Sequence, residues 1–359
     1  MAGGEGPLTS QSSPAAPLFG RSRARFFGSR SHELHAPTTE WGGSGLIVCA
    51  ETPDRAKVIE AALETAGALF EEAAPATLPA LERIHSADYL DYLAHAAQEW
   101  LDAGYTLPAA SGSYAPRGVP VAPGKSILGR SGYYSFGLGS PVIEGTWEAS
   151  LGAAGCAIDA ANAVLDGADL AYGLCRPPGH HAGRDYGGGY CYINNAALAA
   201  DLLASRTRSR GGVAIIDLDY HHGNGSQDLF WDRSDVTYVS IHADPDHDYP
   251  YFTGRKGERG AGDGEGLTLN YPLPLGSGDD EWLSALEDGL RSIPSPTYVV
   301  VSLGLDAEVG DEQFLVTRSG FAEAGRRLRD VAPMVVLLEG GYLVSELGRN
   351  TTAFLAGEG

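Results

Sequence analysis

The chain has 359 residues, 43% of them apolar, and 25 basic against 46 acidic side chains give a net charge of −21. That balance argues against a phosphate-binding surface, and so against a nucleic-acid partner, while leaving room for a cationic small substrate. No apolar run is long enough to span a membrane and no secretory leader is read at the start. Four cysteines, Cys49, Cys156, Cys175 and Cys191, form no CxxC pair, the usage expected of a reducing, cytoplasmic compartment.

Residues 1–24 are rich in Gly, Ser, Pro and Ala and read as a flexible tail. One ordered domain is expected from Arg25 to residue 359. Apolar spacing predicts helices over 54–69 and 86–101, the second with Ser86 as N-cap. Residues 107–145 are Gly-, Pro- and Ser-rich and contain GYYSF; so long an irregular stretch inside a compact domain points to function. A helix is predicted over 147–165. Beyond it short apolar runs alternate with helices: AYGLC before a helix over 195–204, VAIID before one near Gln227, VTYVSIH before one over 280–292, TYVVVSLGLD before one over 319–330, then MVVLLE. Uninterrupted apolar strands alternating with helices imply an α/β fold, a mostly parallel sheet in a three-layer α/β/α sandwich.

Parallel sheets place their sites beyond the carboxyl ends of the strands. Four strand ends here carry polar residues: CRPPGHHAG with His180 and His181; DLDYHHGNG with Asp217, Asp219 and His221; SLGLDAEVGD with Asp306; and LLEGGY with Tyr342. Asp217, Asp219 and His221 alternate, so they start on one face. Two buried carboxylates cannot stay close together without neutralisation, and a divalent metal supplies it. Asp219, His221 and Asp306 make a three-ligand set with an open position, leaving Asp217 to orient one of the paired histidines. Taken singly, Asp306 reads as a helix N-cap, each histidine as a surface or satisfied core residue and Tyr342 as core. The convergence of four strand ends favours the metal site.

With these segments in view, the chain resembles the histone deacetylase and acetylpolyamine amidohydrolase family. The resemblance rests on RPPGHHAG (176–183), GGYCYINNAALAA (188–200), DLDYHHGNGSQDLF (217–230), VSIHADP (239–245), GAGDGEGLTLNYPLP (260–274), VSLGLDAEVGD (301–311) and EGGY (339–342), with weaker similarity in HSADYLDYL (85–93) and GTWEAS (145–150). It runs from about Arg25 to the end and is closest to the bacterial amidohydrolase branch. It implies the arginase/deacetylase-like fold, with Asp219, His221 and Asp306 holding one catalytic zinc. Fe(II) and Co(II) also suit two oxygens and one nitrogen, whereas the residues flanking these ligands do not extend to a binuclear manganese site.

By the same resemblance His180 pairs with Asp217, His181 with Asn224, and Tyr342 polarises the carbonyl, its approach eased by Gly340 and Gly341. Gly189, Tyr190 and Phe252 fall at the substrate tunnel, and Asp217 with Ser240 at a structural monovalent-cation site, usually potassium. The 107–145 loop resembles an insertion that pairs two chains into a homodimer and narrows the entrance. Where the polyamine branch carries acids in this loop, the chain has Leu128 and Gly139; Glu144 is the nearest acid. The implied activity is removal of an acetyl or short acyl group from a small acylated amine, such as acetyl-lysine, an acetylated polyamine or another acylated metabolite. A non-catalytic acyl-amine binder is the alternative from another class.

Overall fold

The computed structural model describes residues 24–43, 45–116, 120–207 and 209–357. The expected tail, residues 1–24, lies outside them except for Ala24, the first residue of a strand. The strands are β1 (Ala24–Gly28), β2 (Thr39–Gly42), β3 (Gly45–Val48), β4 (Phe70–Glu72), β5 (Leu170–Gly173), β6 (Val213–Asp217), β7 (Val236–Ala243), β8 (Thr268–Leu273), β9 (Tyr298–Leu303) and β10 (Met334–Leu338). The helices are α1 (Pro53–Thr65), α2 (Leu78–Leu81), α3 (Ala87–Asp102), α4 (Ile127–Tyr133), α5 (Thr146–Leu165), α6 (Asn195–Ala204), α7 (Asn224–Phe230), α8 (Asp279–Ser292), α9 (Arg318–Arg329) and α10 (Val344–Ala356).

Eight strands make one sheet in the order β4-β1-β5-β10-β9-β6-β7-β8. Every pairing in it is parallel, so the sheet is more uniform than the sequence implied. β2 and β3 form a separate antiparallel hairpin. The central strands are buried on both faces, which is why they read as unbroken apolar runs. Side-chain alternation divides them between two cores. Ile215, Val300 and Val335 pack with α3, α5 and α6 on one face; Ile216, Val301 and Val336 pack with α1, α8, α9 and α10 on the other. The fold is thus a three-layer α/β/α sandwich.

The predicted helices form within a few residues of their expected ends. Ser86 caps α3, its hydroxyl accepting from the Tyr89 amide. α1 stops at Thr65 rather than residue 69, because Gly67 follows with φ +95°, a conformation that ends helices. The 107–145 segment contains α4, anchored by Arg130 to Glu99 and Asp91 of α3. The fold's main service to the site is its strand order: β5, β10, β9 and β6, whose ends carry the polar residues, are four consecutive neighbours at the centre of the sheet.

Candidate metal centre and active site

β6 ends at Asp217, and the chain then turns so that Asp219 and His221 meet Asp306 from the end of β9. His221 Nδ1 lies 3.3 Å from Asp219 Oδ1 and 3.1 Å from Asp306 Oδ2. One donor atom from each residue falls within 4.8 Å of the others. Both carboxylates are fully buried. Burial and the neighbouring Asp219 raise the Asp306 pKa, as expected where two carboxylates share one buried site. Two hard oxygens and one imidazole around one point are a donor set for a divalent cation. Gly340 makes the convergence possible: a Cβ there would sit 2.3 Å from Asp306 Oδ2 and 2.7 Å from Asp219 Oδ2. Its small size thus serves the carboxylates, whereas the sequence reading assigned it to Tyr342.

The paired histidines stand beside this trio, ring centres 4.0 Å apart. Their partners are those expected. His180 Nδ1 donates to Asp217 Oδ2 at 3.1 Å. Burial opposes its charge, but Asp219 and Asp217 outweigh it and push the pKa up to about 10. His181 Nδ1 donates to the Asn224 amide oxygen at 2.7 Å, leaving Nε2 as the free base. Burial, then the neighbouring His180 and His221, holds His181 well below the usual histidine range. The two imidazoles are thus pushed in opposite directions: the buried carboxylates Asp219 and Asp217 favour charge on His180, whereas burial and the neighbouring His180 and His221 disfavour it on His181, against the weaker pull of the Asn224 hydrogen bond. Their loop is braced by Glu339, whose Oε2 accepts from the Gly179 and His180 amides at 2.7 and 3.1 Å.

Tyr342 faces Tyr190 edge to face at 5.5 Å and has the Arg55 guanidinium 4.9 Å from its ring centre. Tyr190 in turn donates its hydroxyl to Glu40 at 2.8 Å. Gly189, with φ +54°, lies against His181: a Cβ would come within 2.3 Å of Cδ2 of that ring. Phe252 does not face the histidines. It is 81% exposed and lines a cavity of about 480 Å³ with Phe136, Asn224 and Trp231. Two rings do face His181: Tyr249, 5.1 Å from it and 5.8 Å from His221, and Phe136 of the GYYSF segment, 6.2 Å from it and stacked on Tyr249 at 5.8 Å. Glu144 is exposed before α5 and makes no hydrogen bond or ion pair among the described residues. Ser240 sits opposite Asp217 in register, its hydroxyl bonded to His242 at 2.8 Å.

Several residues here carried no assignment from sequence: Tyr249, Phe136, Glu339 and Arg55. Glu339 stood within a quoted motif and Phe136 within a conspicuous aromatic run. Arg55 gave no signal, because a charged residue on a helix ordinarily faces water; here it is buried with Glu51 and Arg176.

Comparison with known proteins identifies the family. The histone deacetylase domain family matches residues 49–357. The chain belongs to the histone deacetylase family. This is a family of hydrolases acting on amide bonds. The chain is 39% identical over 336 residues to acetylpolyamine amidohydrolase 2 of Pseudomonas aeruginosa, covering 92% of this chain and 97% of that one. It is 40% identical over 337 residues to acetylpolyamine amidohydrolase of Mycoplana ramosa, covering 92% and 98%. Among solved structures it resembles an acetylpolyamine aminohydrolase from Burkholderia pseudomallei, with TM-score 0.86, 36% identity and coverage of 93% and 98%. Family membership implies a metal cofactor, and the Asp219–His221–Asp306 donor set fits one. Among the described residues no helix is long and apolar enough to cross a membrane.

Proposed function

We propose that the protein is a zinc-dependent deacetylase that removes an acetyl or short acyl group from a small acylated amine, with acetylated polyamines the leading class. The carrying observation is that the trio Asp219, His221 and Asp306 shares the ends of four adjacent strands with the His180–His181 pair and Tyr342. The substrate class named for the similar amidohydrolases supports the polyamines.

A divalent ion in the trio would polarise the amide carbonyl and acidify water. The chain's own residues supply the rest. His181, neutral with Nε2 free, takes the proton of the attacking water and returns it to the departing amine. His180, whose Nδ1 donates to Asp217 and whose pKa is raised by Asp219 and Asp217, favours negative charge developing on the carbonyl oxygen. The Tyr342 hydroxyl donates to that oxyanion, a contact whose loss typically costs ~10²–10³ in rate. Tyr190, Tyr249 and Phe136 wall the alkyl chain of the substrate and keep bulk water out.

One observation keeps a second substrate class in play. Leu128 and Gly139 offer no charge; the Gly139 carbonyl accepts from the Tyr190 amide. With no acid at either position, another small acylated amine remains a candidate beside the polyamines. We further assign a structural potassium ion to Asp217 and Ser240, homodimer pairing to the 107–145 segment, and, from the four free buried cysteines, a cytoplasmic location. A substrate panel tests the reading: acetylated diamines, an acetyl-lysine peptide and longer acyl-lysines, each with zinc and with Fe(II). Zinc-dependent release of acetate from an acetylated amine is expected. Stoichiometric binding without hydrolysis of any member would replace the enzyme by a binder.

A further inference from the structure

The hydroxyl of Tyr342 makes no hydrogen bond among the described residues, so the backbone must set where it points. That backbone is tied at each residue. The Gly340 amide donates to Asp219 Oδ2 at 2.8 Å, and its carbonyl accepts from the Leu305 amide at 2.9 Å. Arg55 donates to the carbonyls of Glu339 and Gly341, both at 2.5 Å. Two further amides, of Tyr342 itself at 2.5 Å and of Leu343 at 2.8 Å, converge on a single oxygen, Oδ2 of Asp311. Asp311 lies five residues beyond the metal ligand Asp306 on the same loop, so one short segment fixes both the trio and the tyrosine.

We propose that Asp311 is the positioning residue of the oxyanion tyrosine: its carboxylate grips the Tyr342 and Leu343 amides and so registers the phenol against the metal trio. The claim rests on the role given to Tyr342 above. A carboxylate suits the task because two successive amides aimed at one oxygen form a small anion-binding concavity, and charge-assisted bonds of this kind are short and stiff. The competing reading is plain capping: α10 begins at Val344, so an acid here also stabilises a helix start. The two readings differ in what they predict. A cap contributes to stability whatever side chain occupies position 342, whereas a positioning residue matters to turnover only when the phenol is there to be positioned.

The test is a double-mutant cycle on the zinc-loaded full chain with an N-acetylated diamine as substrate, together with zinc content and melting temperature. Asp311→Ala should lower kcat by roughly 10–100-fold, the scale of a misplaced catalytic group, with KM nearly unchanged and one zinc retained. Asp311→Asn, which keeps an oxygen acceptor, should recover most of that loss. Tyr342→Phe should be slow, and adding Asp311→Ala to it should cost about twofold or less, the behaviour of residues that act as a unit. The proposal is overturned if Asp311→Ala costs the same factor in the Phe background, if it empties the zinc site, or if kcat stays at the wild-type value. A Tyr342→Phe enzyme with normal turnover would overturn the tyrosine's role and this proposal together, whereas multiplicative losses would sink only the part played by Asp311.

Discussion

Replacing Gly189 with alanine probes how tightly the general base is held. The new methyl would lie 2.3 Å from Cδ2 and 3.0 Å from both Cγ and Nε2 of His181, where ordinary contact begins at 3.4 Å. The ring must therefore retreat by about 1 Å, and a displacement of that size can cost ~10² in rate. It cannot retreat freely. Asn224 holds Nδ1 at 2.7 Å, and Tyr249 and Phe136 flank the ring at 5.1 and 6.2 Å. Position 189 also has φ +54°, which costs a non-glycine residue roughly 1–2 kcal/mol. Gly189→Ala should therefore fold with Tm lowered by a few degrees, bind zinc normally, and turn over an acetylated amine about 10²-fold more slowly. Steady-state kinetics beside a zinc titration and a thermal melt measure all three. A folded, zinc-replete Gly189→Ala enzyme with wild-type kcat would refute the assignment of His181 as the base.

Two further outcomes follow from the same geometry. Asp306→Ala removes one of two buried carboxylates from the trio, so bound zinc should fall from one per chain to near zero and activity with it; full occupancy in dialysed protein would contradict the ligand set. His85 gives a pH signature. Burial pushes its pKa down to about 4, and the ring is fixed neutral, Nδ1 donating to the Gly183 carbonyl and Nε2 accepting from the Asn194 amide. The unfolded chain takes up this proton near pH 6.5, so the contribution is intact above that pH. It shrinks as pH falls toward 4, by on the order of 3 kcal/mol. Denaturant titrations from pH 7 to 4 should show this slope added to those of His35 and His242, which burial also lowers to about 4, and His85→Gln should make the total shallower; an unchanged slope would show that His85 contributes nothing to it.

The centre of the fold was legible because strands buried on both faces leave no ambiguity in their hydrophobic pattern. α6 forms over the very residues its sequence proposed, Asn195–Ala204. The periphery was harder. β8 contains Pro272 and hydrogen-bonds only β7 at the sheet edge, where proline is tolerated but the strand pattern weakens. α10 carries Gly348 and two threonines, poor helix formers, and was not read as a helix. Tertiary packing decides it: Gly348 lets α10 approach α1, where a Cβ would meet Ala62 and the Val58 carbonyl, each at 2.7 Å. At the site, the metal trio and the histidine partners follow from strand ends and alternation, which are local. Which ring of Tyr249, Tyr251 and Phe252 faces the histidines depends on how the loop folds back, and no spacing in the sequence encodes it. The clamp on Tyr342 joins Arg55 to a segment nearly three hundred residues away, a contact that only the packed fold can show.

The most direct test of the account is anomalous diffraction at the zinc edge from crystals grown with the metal. One strong peak among Asp219, His221 and Asp306 is predicted. A second buried group, His180, Cys191 and Glu339, also brings three donor atoms within 4.8 Å of one another. A peak there with none in the first trio would contradict the assignment of every catalytic residue made here.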